Sequence, residues 1–191
     1  MILHIKNMVC QRCIETVRSV LKEQGFKVLS IKLGEVEIDP TPSEIQTLQL
    51  SEALTAKGFE LLQDKKSQTV EQIKAAIVQW VHYSEKDPVQ NLNLSEYLVR
   101  EIGADYSSLS HLFSASEGIT IEKFAILQKI ERVKELLSYG ELTSSEIAFK
   151  TGYSSAAHLS SQFKKETGMT PGQYKNLKDK NRNPLDQVGN V

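Results

Sequence analysis

The sequence predicts a chain in two parts: an α+β unit in the order βαββαβ, then an all-α unit with a duplicated helix–turn–helix pattern. Three observations carry this. Residues 1–64 alternate between period-two and helical apolar spacing. After a short polar stretch, "QDKKSQ", the spacing is helical almost throughout. Within that helical part, the sequence helix, glycine-containing turn, helix occurs twice.

The elements follow in order. In "ILHIKNM", Leu3 and Ile5 share one face of a strand. From Cys13 a helical stripe of Val17, Val20 and Leu21 runs to a stop at Gly25. "FKVLSIKL" places Phe26, Leu29, Ile31 and Leu33 mostly two apart, and after Gly34-Glu35 the strand "VEID" turns Val36 and Ile38 inward. "DPTP" is a loop, and Ser43 caps a second helix carrying Ile45, Leu48, Leu50, Ala53 and Leu54 as far as Gly58. "FELL" is the fourth strand. This order is the split βαβ, or ferredoxin-like, arrangement.

In the second part, "TVEQIKAAIVQWVHYSE" carries Val70, Ile73, Ile77, Trp80 and Val81 on one helical face. "NLSEYLVREIGA" opens with a capping-box pattern, Asn93 and Glu96, and closes at Gly103. Helices over "SSLSHLFSASEG" and "IEKFAILQKIERVKELLSYG" follow, and then "LTSSEIAFKTGYSSAAHLSSQFKKETG" repeats the pattern. The two units begin near Leu94 and Leu142 and share Ser-Glu, a turn glycine and Leu-x-x-x-Phe at Leu109–Phe113 and Leu159–Phe163. The expected domains are therefore 1–64 and 69–180, with 181–191 a polar tail.

Composition narrows the function. The chain has 191 residues, 40% apolar and 25% charged, with formal net charge −1. No apolar run approaches the ~18 residues of a membrane span, and "MILHIKNM" has no secretory pattern, so a cytoplasmic protein without membrane partners is expected. Charge is segregated: residues 147–182 hold seven Lys and Arg against two Asp and Glu. No phosphate-binding glycine loop, carboxylate pair or nucleophile–base set is present, so no enzyme is expected.

In the second helix–turn–helix unit, Ile147, Ala148, Leu159 and Phe163 are the expected packing residues around the Gly152 turn. That leaves Ser155, Ala156, Ser160 and Ser161 outward, with Lys164 and Lys165 at the basic end. Short side chains let a helix enter the major groove of double-stranded DNA, where hydroxyls bond base edges and lysines hold phosphates. The corresponding surface of the first unit offers Ser107, Ser110 and His111, on a helix with no Lys or Arg. "KIERVKELL…SSEIAFKTGYSSAAHLSSQFKKETGMTPGQYK" resembles the AraC/XylS DNA-binding domain over residues of roughly 70 to 180. The resemblance implies two helix–turn–helix units joined by a long helix, and transcription regulation as the activity. Lys129 and Val133 stand where that family usually carries an arginine and a small residue.

The first part holds the only two cysteines, Cys10 and Cys13, in "MVCQRC" between a strand and a helix. The first helical turn, where Cys13 falls, favours thiolate. Two soft donors suit Cu(I), whereas Zn(II) wants four ligands, and His4, His82, His111 and His158 are scattered. A Zn(II) ion or another soft metal shared between domains, or between two chains of a homodimer, stays open. So does thiol redox chemistry, although the only tryptophan, Trp80, lies in the other part. Met8-x-Cys10-x-x-Cys13 with Gly58-Phe59 resembles the heavy-metal-associated domain of copper chaperones and transport ATPases. That resemblance implies Cys10 and Cys13 as metal ligands, with Met8 and Phe59 packed beside the loop and not bound to the ion. Arg12 would offset the charge of a bis-thiolate centre.

Together these readings predict a DNA-binding transcription regulator that senses a soft metal, Cu(I) first. The rivals are a thiol redox-responsive regulator and a metallochaperone or metal buffer whose helices dock a protein.

Overall fold

A computed structural model describes residues 1–83, 93–177 and 180–189. The first part is a four-stranded antiparallel sheet with two helices: β1 (Ile2–Lys6), α1 (Gln11–Glu23), β2 (Lys27–Lys32), β3 (Glu35–Asp39), α2 (Glu44–Thr55) and β4 (Glu60–Leu62). The strand order is β2-β3-β1-β4. Leu3, Ile5, Val36 and Ile38 alternate inward and meet Val17, Val20 and Leu21 of α1 and Leu50 and Leu54 of α2. Ser43 caps α2 in a reciprocal box with Gln46.

Two apolar expectations fail here. Leu29 is exposed because β2 carries a bulge. Val28 pairs with Ile38 and Ser30 with Glu37, so Leu29 is the extra residue and leaves the inward alternation. Ile45 and Leu48 are also exposed, on the side of α2 opposite the pair that packs, Leu50 and Leu54.

The second part is helical: α3 (Lys65–Val78), a π-helical turn (Gln79–Tyr83), α4 (Leu94–Ile102), α5 (Tyr106–Glu117), α6 (Ile121–Tyr139), α7 (Ser144–Lys150), α8 (Ala156–Thr167) and α9 (Pro171–Lys175). Ser84 and Glu85, expected at the end of the Trp80 helix, lie outside the described residues. The polar stretch "QDKKSQ" forms no spacer. Asp64 caps α3 by accepting the Ser67 N–H at 2.9 Å, and Gln68 reaches back to the Leu62 carbonyl at 3.0 Å.

The helical part has two cores that share α6, a helix of 19 residues. Phe124 and Ala125 at its start pack with α3, α4 and α5. Val133, Leu136 and Leu137 near its end pack with α7, α8 and α9. The duplication is repeated in detail, each second member fifty residues after the first. Capping boxes stand at Asn93 and Thr143, and α5 and α8 are capped by Asp105 and Ser155. Thr120 and Thr170 cap the helices that follow. Phe113 meets Phe124 edge-on at 5.5 Å, and Phe163 meets Tyr174 in the same way at 5.6 Å. In the second unit the turn after α7 passes through Gly152 at φ 70°, a left-handed conformation that glycine adopts without strain.

The two parts pack directly together. Leu33, Ala75 and Val78 form a small buried cluster with Val9, Ile14 and Leu185 around it. A Cβ at Gly34 would stand 3.2 Å from that of Ala75, so the β2–β3 turn approaches α3 closely. Gln72 donates to Glu35 at 3.3 Å. The segment expected as a polar tail forms part of this packing over its described length. Asn183 N–H donates to Glu131, Gln128 donates to the Leu185 carbonyl at 3.1 Å, and Val188 is buried. Its charged residues mask these contacts in the sequence. Asn190 and Val191 lie outside the described residues.

Candidate thiol centre and nucleic-acid interface

The thiol loop hangs between β1 and α1. Asn7 takes a left-handed φ of 73°, which asparagine tolerates better than most residues, and its side chain donates to the Gly58 carbonyl at 2.9 Å. Met8 follows with no exposed surface and joins the same core as Phe59. Met8 is thus beneath the loop and directed into the core. Val9 turns toward the helical part, and Cys10 is the N-cap of α1.

The sulfurs of Cys10 and Cys13 lie 3.2 Å apart, both half-buried. Their acidities differ. Burial opposes ionisation of Cys10, but the Cys13 thiol, the N–H groups of Cys13 and Arg12, and the Arg12 charge outweigh it and lower its pKa. Burial raises the pKa of Cys13, and proximity to Cys10 raises it further. The charge and N–H groups of the first turn act on the capping sulfur of Cys10, while Cys13 lies inside that turn.

As donors, the pair suits a soft ion that needs few ligands. Among the described residues, no group of three or more His, Cys, Asp and Glu is placed to hold a metal. His4 packs on the sheet against Glu35, and His82 is buried against Gln128. His111 and His158 lie on α5 and α8, exposed.

The helical part grips the loop at two points. The Asn7 N–H donates to the buried Glu71 carboxylate at 3.1 Å, and the Tyr83 hydroxyl donates to the Val9 carbonyl at 2.9 Å. Burial raises the pKa of Glu71, partly offset by Lys74 and the Asn7 N–H. Burial also raises that of Tyr83, with Cys10 the next cause. Glu71 and Tyr83 were not among the expected site residues, because their only sequence signal was a polar group on an apolar helix.

On α8, Leu159 and Phe163 are buried, and the exposed stripe is Ala157, His158, Ser161 and Lys165, with Lys164 beside it. Ala156 and Ser160 are half-buried, one step toward the core. The Ser155 hydroxyl is the helix cap, accepting the His158 N–H at 3.1 Å. On α5 the exposed stripe is Ser107, Ser108, His111 and Ala115, the same four positions fifty residues earlier, while Ser110 is half-buried like Ser160. Ala157, His158, Ser108 and Ala115 are exposed but lie outside the expected set, although their three- and four-residue spacing from Ser161 and His111 marks them. Lys123 at the start of α6 pairs with Glu166 of α8, tying the two units together.

Residues 98–177 match the model of the helix-turn-helix domain family. The span runs from within α4 past the end of α9, so it covers both exposed stripes. Uncharacterized HTH-type transcriptional regulators of Staphylococcus aureus strains MSSA476 and MRSA252 are each 38% identical over 86 residues, 45% of this chain and 11% of the relative. The xylose operon regulatory protein of Escherichia coli K12 is 28% identical over 102 residues, 53% of this chain and 26% of the relative. The chain therefore spans between about a tenth and a quarter of the length of these relatives. Among the described residues, no helix is long and apolar enough to cross a membrane.

Proposed function

We propose that the chain is an AraC/XylS-type transcription regulator in which a ferredoxin-like, heavy-metal-associated unit senses a soft metal, first Cu(I), through Cys10 and Cys13. The observation that carries this reading is the contact between the thiol loop and the helical part. Val9, one residue before Cys10, is held by Tyr83 and packs near Val78.

Each part has a defined task. Cys10 and Cys13 would hold a Cu(I) ion as two soft thiolate donors, and the ion would add positive charge at the loop. Arg12 offsets the remaining negative charge, and Met8 and Phe59 fix the loop from below. Two helix–turn–helix units present Ala157, His158, Ser161, Ser107, Ser108 and His111 to base edges, while Lys164 and Lys165 hold phosphates. Metal then changes DNA affinity by binding the DNA-competent and incompetent arrangements unequally. The test is DNA binding of the reduced full chain with Cu(I), Zn(II) and chelator: Cu(I) is expected to change affinity, and an identical affinity in all three rejects metal sensing.

A second reading, a thiol redox-responsive regulator, is favoured by the 3.2 Å separation of the sulfurs. Under that reading an oxidant shifts DNA binding and Cu(I) does not.

A further inference from the structure

One short turn of helix touches three bodies. In the π-helical turn Gln79–Tyr83, the Trp80 ring receives the Lys129 ammonium 4.9 Å from its centre. The same ammonium lies 5.6 Å from the Tyr153 ring and 3.4 Å from where a Cβ on Gly152 would stand. A single cation thus joins Trp80 to the turn of the second helix–turn–helix unit. His82, 8% exposed, meets the Gln128 carbonyl oxygen of α6 at 3.0 Å as donor, since the amide of Gln128 is donated to Leu185. Tyr83 completes the set with its hydrogen bond to Val9.

From these contacts we infer that Tyr83 is a positioning residue for the thiol loop, and that the π-helical turn carries the state of Cys10 and Cys13 to α6 and the second helix–turn–helix unit. This rests on the reading that the thiols regulate DNA binding. A ligand or a disulfide at the cysteines must alter a sulfur separation now 3.2 Å, and with it the backbone that ends at the Val9 carbonyl. Tyr83 is bonded to that carbonyl, and Trp80, His82 and Tyr83 ride on one turn, so the three contacts shift together. Coupling requires an element with two arrangements. A π-turn is such an element, because return to α-helical hydrogen bonding displaces every following side chain by one residue, and π-turns concentrate at functional sites.

The test uses the full chain and Tyr83→Phe, which keeps the ring and removes the hydroxyl. Trp80 is the only tryptophan, so its emission reports on the turn itself. Each protein is titrated with Cu(I) under reducing conditions. As a second trigger, each is treated with diamide, which takes two electrons and two protons from the thiols and closes the disulfide. The readouts are Trp80 emission and affinity for a duplex selected by the wild-type chain from a random pool. In the wild type, a trigger is expected to shift the emission maximum and change DNA affinity at least about 5-fold. Tyr83→Phe is expected to take up the same Cu(I) equivalents and bind the duplex, with both responses reduced to less than half. Wild-type responses in Tyr83→Phe overturn the inference, as does a wild-type Trp80 emission unmoved by either trigger. If emission responds but wild-type DNA affinity does not, the regulatory reading falls. Loss of that emission response in Tyr83→Phe then still supports the link from loop to turn.

Discussion

The Tyr83 hydroxyl bonds the Val9 carbonyl across 74 residues of chain, at 2.9 Å. It is a contact between the segment that leads into the thiol pair and the last residue of the π-helical turn. Its consequence is that the backbone at Val9–Cys10 cannot move without disturbing either this bond or the packing of Val9 near Val78.

Reduced protein is expected to bind one Cu(I) per chain, or one per pair of chains, and Cys10→Ser or Cys13→Ser is expected to abolish binding. Competition against a colorimetric Cu(I) chelator measures this. Retention of the ion by both single variants would remove the site from Cys10 and Cys13.

Lys164→Ala and Lys165→Ala are each expected to weaken binding to all DNA sequences alike and to lower the slope of log affinity against log salt by about 1. A salt titration on specific and random duplexes decides it. An altered sequence preference with an unchanged slope would place these lysines against bases.

His158→Ala and Ser161→Ala, on the exposed stripe of α8, are expected to change sequence preference at a cost of about 1–3 kcal/mol for the preferred base. Ser160→Ala, one step toward the core, should leave preference unchanged. Selection from a random duplex pool compares the three, and the reverse ranking would show that α8 is rotated relative to the groove.

Burial lowers the pKa of His82 from its usual 6.5 to about 4, although its bond to Gln128 opposes the shift. Between these values the unfolded chain binds a proton that the folded chain does not, so the contribution of neutral His82 to stability is complete above pH 6.5. It declines as pH falls toward 4 and then stays flat. The full effect is on the order of 3 kcal/mol. Urea unfolding of wild type and His82→Gln at several pH values measures it: the wild-type advantage should shrink over this window, and a constant difference would mean His82 titrates normally.

Local signals made much of this chain legible. The capping pairs Ser43–Gln46, Asn93–Glu96 and Thr143–Glu146 each involve residues three apart, so sequence spacing alone locates them. The Val17–Val20–Leu21 stripe and the pairs Leu109–Phe113 and Leu159–Phe163 needed only helical periodicity. What escaped was non-local or off-period. The bulge at Leu29 breaks a period-two count, and the cap at Asp64 converts an apparent linker into helix. The π-helical turn leaves the apolar pattern of α3 intact while redirecting Trp80, His82 and Tyr83. The polar segment after α9 packs through Leu185 and Val188, a lone apolar pair too short a pattern to signal an element. At the thiol centre the cysteines were legible, but Glu71 and Tyr83, from another part of the chain, were not.

If occupancy of the thiol pair regulates binding of DNA, the linkage must be reciprocal. The most direct measurement is therefore the Cu(I) affinity of the intact reduced chain with and without its selected duplex, alongside the DNA affinity with and without Cu(I). The same factor is expected by both routes, in the range of roughly 5–150-fold. Equal Cu(I) affinities with and without the duplex, in protein shown to bind both, would contradict it and leave the N-terminal unit without a regulatory role.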